Sequence, residues 1–209
     1  MLFDLDGTLV DSGASVVRAW QWVADQLERP FSLFAPYVHG IPADQVFETV
    51  VPEVSGAQRA DLVERMLSRQ AEDTVDVFAI PGALDALDAL PTTRWAIVTS
   101  GDLRLASSRI EAAGLPRSRV LITADDVQLG KPHPAPYLLA AARLRAEPGR
   151  CLVVEDAPAG VEAAGAAAMT VLGVLTSASQ LAGVAHAVGD LTAANFTADR
   201  LGVHVVADF

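Results

Sequence analysis

From residue 95 onward the chain alternates short, unbroken apolar runs with amphipathic or alanine-rich stretches. The runs are WAIVTS, VLITA, CLVVED and MTVLGVLT, with VHVVAD as a further candidate. The stretches between them, 103–113, 135–144 and 160–167, read as helices. Continuous Val/Ile/Leu strands alternating with helices predict a parallel sheet covered on both faces. Ligands of such sheets bind beyond the carboxyl ends of the strands, so the strand ends are where chemistry is expected.

Residues 13–78 follow another pattern. They read as helices over 15–28, 44–51 and 57–73 with no strand between them, separated by the helix-breaking clusters RPFSLFAPYVHG and VPEVSG. After them, IPGALDALDAL starts a helix with Leu84, Leu87 and Leu90 at helical spacing. The predicted architecture is α/β: a Rossmann-like parallel-sheet core formed by residues 1–12 plus 79–209, with an all-helical cap, 13–78, inserted after the first strand.

Composition narrows the function. A chain of 209 residues, half of them hydrophobic, can bury a substantial core. A net charge of −11 without a basic stripe argues against nucleic-acid binding. An anionic ligand would therefore need local help from a metal, a lysine or helix N-termini. Cys151 is the only cysteine, which excludes an internal disulfide and a cysteine-based zinc site. No long apolar run or signal-peptide pattern is present, so no membrane association, a cytoplasmic setting and a monomer are expected.

The opening MLFDLDGTLVDS places Asp4 and Asp6 at the end of an apolar run. Strand residues i and i+2 point to the same side, so both carboxylates could face one spot. Such a pair resists burial unless a cation lies between the acids or one is protonated. An ordinary Asp-Gly turn is the alternative. Other strand ends are similarly two-sided. Thr99, Ser100 and Gly101 offer either a seat for an oxyanion or phosphate, or a helix N-cap. Lys131, between Gly130 and Pro132, is either a cation aimed at a phosphoryl group or an exposed loop lysine. Glu155 and Asp156, just before a helix that Pro158 is poised to begin, are hard-cation ligands or helix N-terminal charges. Taken together, these residues stand at the ends of different strands of one predicted sheet.

DLDGTLVDS, TSG, GKPHP and VVEDAPAG, in this order and spacing, resemble the four motifs of the haloacid dehalogenase-like hydrolases, over nearly the whole chain. The longer wording is similar to the branch holding sugar- and polyol-phosphate phosphatases. The resemblance implies that Asp4 is the nucleophile of an Mg²⁺-dependent phosphatase and forms an aspartyl-phosphate. It implies that Asp6 is the general acid and then the base. Thr99, with Ser100 and Gly101, would hold the phosphoryl oxygens, and Lys131 would neutralise charge there. Mg²⁺ would be bound by the Asp4 side chain, the Asp6 backbone carbonyl and Asp156, with Glu155 as a ligand or a partner of the ligands. A small-molecule phosphate ester is the implied substrate. His39, in the cap-loop His-Gly, is implied to face it, against the alternative of a solvent-exposed histidine. His133 reads as structural.

Some positions depart from the pattern. Three residues precede Asp4, so either the first strand is short or the natural start lies upstream. An arginine commonly follows the cap His-Gly within two residues; here Ile41 and Pro42 stand there. Ala168 occupies a position where relatives often end a helix with glycine, and a positive φ there would carry strain of about 1 kcal/mol. A phosphomutase of the β-phosphoglucomutase type shares motifs and cap and is the main alternative. A dehalogenase would leave Asp6, Glu155 and Asp156 with little purpose.

Overall fold

The computed structural model describes residues 1–38 and 41–207. The chain opens with β1 (Leu2–Phe3) and β2 (Val10–Asp11), then runs through α1 (Gly13–Gln26), α2 (Ala43–Val50) and α3 (Gly56–Glu72). It returns through β3 (Phe78–Ala79), antiparallel to β2. Helices and strands then alternate: α4 (Ala83–Asp88), β4 (Ala96–Val98), α5 (Leu103–Ala112), β5 (Leu121–Ile122), α6 (Ala135–Arg143), β6 (Leu152–Glu155), α7 (Pro158–Ala166), β7 (Thr170–Val174) and β8 (His186–Val188). An antiparallel pair, β9 (Ala194–Ala198) and β10 (Val203–Ala207), follows.

Six strands form one parallel sheet in the order β5-β4-β1-β6-β7-β8. The chain builds outward from β1 to β4 and β5 on one side, then crosses to β6, β7 and β8 on the other. The order therefore reverses between β1 and β6, which opens a crevice at their carboxyl ends. Neighbouring residues of each strand bury on opposite faces. Phe3, Ile97 and Val154 join one apolar cluster, while Leu2, Ala96, Val98 and Val153 join the other. Burial on both faces is why these strands read as unbroken apolar runs.

The helices α1–α3 carry their own apolar cluster, in which Trp20 packs on Phe34 and Phe47 with ring centroids 5.7 and 5.6 Å apart. At their base the short β2–β3 pair brings the chain out of the sheet and back, and Arg18 clamps Asp73 at 2.6 and 3.0 Å.

Three expectations need correction. The VHVVAD segment is not in the parallel sheet; it forms β10, half-exposed and paired with β9 alone. The sixth sheet strand is β8, only three residues long. Leu84 does not share the buried face of α4; it is exposed, and Ala83, Ala86, Leu87 and Leu90 pack inward. Segment 13–78 also ends in a strand residue rather than a helix, since Phe78 begins the two-residue β3. Among the described residues no helix is long and apolar enough to cross a membrane.

Candidate active site

The backbone leaves β1 with the Asp4 N–H still bonded to the Val154 carbonyl at 3.0 Å, so Asp4 sits at the mouth of the β1–β6 crevice. Gly7 then turns the chain with φ +85°, a conformation that L side chains rarely adopt. A Cβ on Gly7 would lie 2.0 Å from Asp156 Oδ2, so glycine is required by space as well as by angle. Thr8, fully buried, donates its hydroxyl to Asp156 Oδ1 at 3.2 Å.

Lys131 is the hub of the crevice. Its Nζ donates to Asp4 Oδ1 at 2.5 Å, Glu155 Oε1 at 2.7 Å and the Val98 carbonyl at 3.0 Å, using all three ammonium protons. Glu155 is equally committed. Its Oε1 also accepts from Tyr137 Oη at 2.8 Å, and its Oε2 accepts the N–H groups of Asp156 and Ala157, both at 2.9 Å. Gly160, one turn into α7, makes room: a Cβ there would fall 1.6 Å from Glu155 Oε1.

Electrostatics follow from this packing. Burial works against the Lys131 ammonium, but Asp4 and Glu155 outweigh it and hold its pKa well above the usual lysine value. Burial, reinforced by Glu155 and Asp156, raises Asp4 well above the usual carboxylate range despite Lys131. Burial and the nearby Glu155 push Asp156 up to about 7. Burial and Glu155 also raise the Tyr137 phenol, which stays a hydrogen-bond donor.

Asp4, Glu155 and Asp156 each offer a carboxylate oxygen within 4.8 Å of the others. With all three ionised, these buried carboxylates against one ammonium would carry a surplus of two negative charges, which is why burial favours the protonated forms of Asp4 and Asp156 in the absence of a cation. Hard oxygen donors with that surplus fit a small divalent cation such as Mg²⁺.

Asp6 is held apart from this group. Its Oδ1 accepts the Ser12 hydroxyl at 2.8 Å, and its Oδ2 lies 2.6 Å from Arg109 Nη1. Thr99 is buried at the end of β4, and its Oγ1 accepts the Gly101 N–H at 3.0 Å. The N-cap of α5 is Asp102, which accepts from the Leu105 N–H at 2.7 Å, so Thr99 and Ser100 do not cap that helix. Asp4, Asp6, Thr99, Ser100, Gly101, Lys131, Glu155 and Asp156 all line one cavity of about 890 Å³, walled on the α1–α3 side by residues such as Val16, Trp20 and Met66. His39 lies outside the described residues. His133 Nδ1 accepts the Ala135 N–H at 3.2 Å, a local turn bond.

Sequence reasoning missed four contributors: Thr8, Ser12, Arg109 and Tyr137. Arg109 did leave a signal, since it falls at helical spacing on the buried face that Leu105 and Ala106 define. Tyr137 left none, because an aromatic residue in a helix is ordinarily core.

Residues 1–168 match the family model of the haloacid dehalogenase-like hydrolases. Over 179 residues the chain is 41% identical to hexitol phosphatase A of Escherichia coli K12, covering 83% of this chain and 81% of that protein. It is 32% identical over 196 residues to glycerol-1-phosphate phosphohydrolase 2 of Saccharomyces cerevisiae, covering 84% and 74%. A hydrolase from Pseudomonas syringae superposes with a TM-score of 0.80 at 29% identity, covering 91% of this chain and 93% of that one.

Proposed function

The chain belongs to the haloacid dehalogenase-like hydrolases and is a phosphoric monoester hydrolase; from this premise we propose that it hydrolyses small sugar or polyol phosphates through an aspartyl-phosphate on Asp4. The observation that carries the reading is the convergence of Asp4, Lys131, Glu155, Asp156 and Thr99 on one strand-end crevice facing one cavity.

In the first step Asp4 attacks phosphorus, and the bond from phosphorus to the ester oxygen breaks. The departing oxygen takes a proton from the Asp6 carboxyl group. In the second step Asp6, now a carboxylate, takes a proton from water as the water oxygen attacks phosphorus. Inorganic phosphate leaves and the Asp4 carboxylate is restored. Lys131 holds Asp4 in line and offsets charge on the phosphoryl oxygens, and Glu155 fixes Lys131. The Thr99 hydroxyl and the Ser100 N–H supply donors for those oxygens, while the Gly101 N–H holds Thr99 Oγ1 in place. Asp4, Asp156 and the Asp6 carbonyl would hold Mg²⁺, which when bound supplies positive charge between the nucleophile and the phosphate. Residues 13–78 act as a cap whose apolar wall covers the leaving group and keeps bulk water out of the first step. The relatives named hexitol phosphatase A and glycerol-1-phosphate phosphohydrolase 2 support this substrate class.

The test is phosphate release from hexitol, polyol, sugar and nucleotide monophosphates, with Mg²⁺ or with EDTA. Turnover of hexitol or polyol phosphates is expected only with Mg²⁺. Asp4→Asn and Asp6→Asn are each expected to lower it by about 10²-fold or more. Interconversion of glucose 1- and 6-phosphates with little hydrolysis would point to the mutase instead.

A further inference from the structure

The reaction proposed above asks Asp6 to give a proton and later take one, so its carboxylate must be held in one place. Among the described residues two side chains touch it, Ser12 nearby in the chain and Arg109 on the distant helix α5. Arg109 reaches from α5 to put Nη1 2.6 Å from Asp6 Oδ2, while its Nη2 donates to Oε1 of Gln70 on α3 at 2.6 Å. The Asp6 side chain is 28% exposed and that of Arg109 only 4%, and both residues line the cavity, with the guanidinium the more deeply buried of the two.

Burying a guanidinium is unfavourable unless its partners compensate, and an apolar residue would serve a helix seam at least as well. The α3–α5 seam already has other bonds. Ser108 Oγ donates to the Ala71 carbonyl at 2.5 Å, and Arg104 pairs with Glu72 at 2.7 Å near the surface. Arg109 is also incompletely used there, since its Nε is buried without a partner. Its placement is explained by the pair with Asp6.

We propose that Arg109 is a positioning residue for Asp6, and that Gln70 in turn fixes Arg109, so that the proton-transferring carboxylate is oriented only while α3 lies against α5. The inference rests on the reading of Asp6 as the acid and base. It makes proton transfer conditional on the seating of the helical segment that covers the leaving group.

The experiment compares kcat/KM for an alkyl ester, sorbitol 6-phosphate, with that for p-nitrophenyl phosphate. Both values report the steps up to formation of the phospho-enzyme. An alkoxide needs a proton as it leaves, whereas p-nitrophenolate does not. Arg109→Met is expected to lower kcat/KM for the alkyl ester by about 10- to 100-fold and to leave that for the aryl ester within a few-fold of the wild type. Arg109→Lys should recover part of the loss, and Gln70→Met should show a smaller loss with the same selectivity. If Arg109→Met does not fold, as judged by its thermal transition, Gln70→Met carries the test because it leaves both charges of the pair in place. Equal losses on the two esters would make Arg109 a structural or substrate-binding cation and overturn the assignment, as would no loss on either. A wild-type enzyme inert towards both esters would instead remove the phosphatase reading, and the assignment with it.

Discussion

Asp156 shows how one side chain links turn geometry, charge and metal. It lies against Gly7, accepts from Thr8 and is pushed up to about 7 by burial and Glu155. An unfolded aspartate loses its proton near the ordinary value of 3.8. Between about pH 4 and 7 the folded chain keeps a proton that the unfolded chain has lost, so metal-free stability falls as pH rises through that window. Asp4, shifted in the same direction, adds to the slope. A divalent cation needs the ionised carboxylates, so its stabilising effect grows over the same window. Thermal unfolding with EDTA or Mg²⁺ is therefore expected to show a small Mg²⁺ effect at pH 5 and a large one at pH 8. Gly7→Ala would force the left-handed backbone on alanine at about 1–2 kcal/mol and drive its methyl into the Asp156 carboxylate. Calorimetric titration should find Mg²⁺ affinity strongly reduced in that variant.

Helix ends carry a second set of consequences. Three consecutive helices of the core stop in the same way, with a residue of positive φ after the cap and paired bonds back to the last turn. In α5 this residue is Gly114, in α6 Arg145 with φ 55°, and in α7 Ala168 with φ 57°. After α7, Ala168 N–H bonds to the Gly165 carbonyl and Met169 N–H to the Ala164 carbonyl, a Schellman ending. Ala168→Gly should relieve about 0.5–1 kcal/mol of strain and raise the melting temperature by about 1–4 °C, with activity unchanged, because Ala168 lies at the opposite end of α7 from Glu155. The helix-end strain was readable from one alanine where glycine is usual. The strands were less evenly legible. β6 and β7 announced themselves because both their faces are buried. β1, β4 and β5 are just as short but sit in unbroken apolar runs, whereas Asp11 interrupts β2, His186 interrupts β8, and β3 is two residues at the end of the helical segment. β10 was visible as an apolar run, but its partner was not, since pairing is a choice between strands and leaves no mark within one.

Over the whole molecule, sequence determined what local rules can reach. Unbroken apolar runs between helices imply a parallel sheet, and acids or a lysine just beyond those runs must gather at its carboxyl edge. Asp4, Asp6, Thr99, Lys131, Glu155 and Asp156 were legible for that reason, because a strand, a turn and a helix start each leave a mark within a few residues. What lies across that edge was decided by tertiary packing. Glu155 accepts four hydrogen bonds, two of them from Lys131 and Tyr137, 24 and 18 residues away, which ties it to Lys131. Arg109 meets Gln70 across 39 residues and Asp6 at the start of the chain. No period or motif encodes such meetings. They arise when the sheet order brings β1 beside both β4 and β6, and when α3 settles on α5. Burial then decides the rest, because a charge out of water must find its partner in space rather than along the chain.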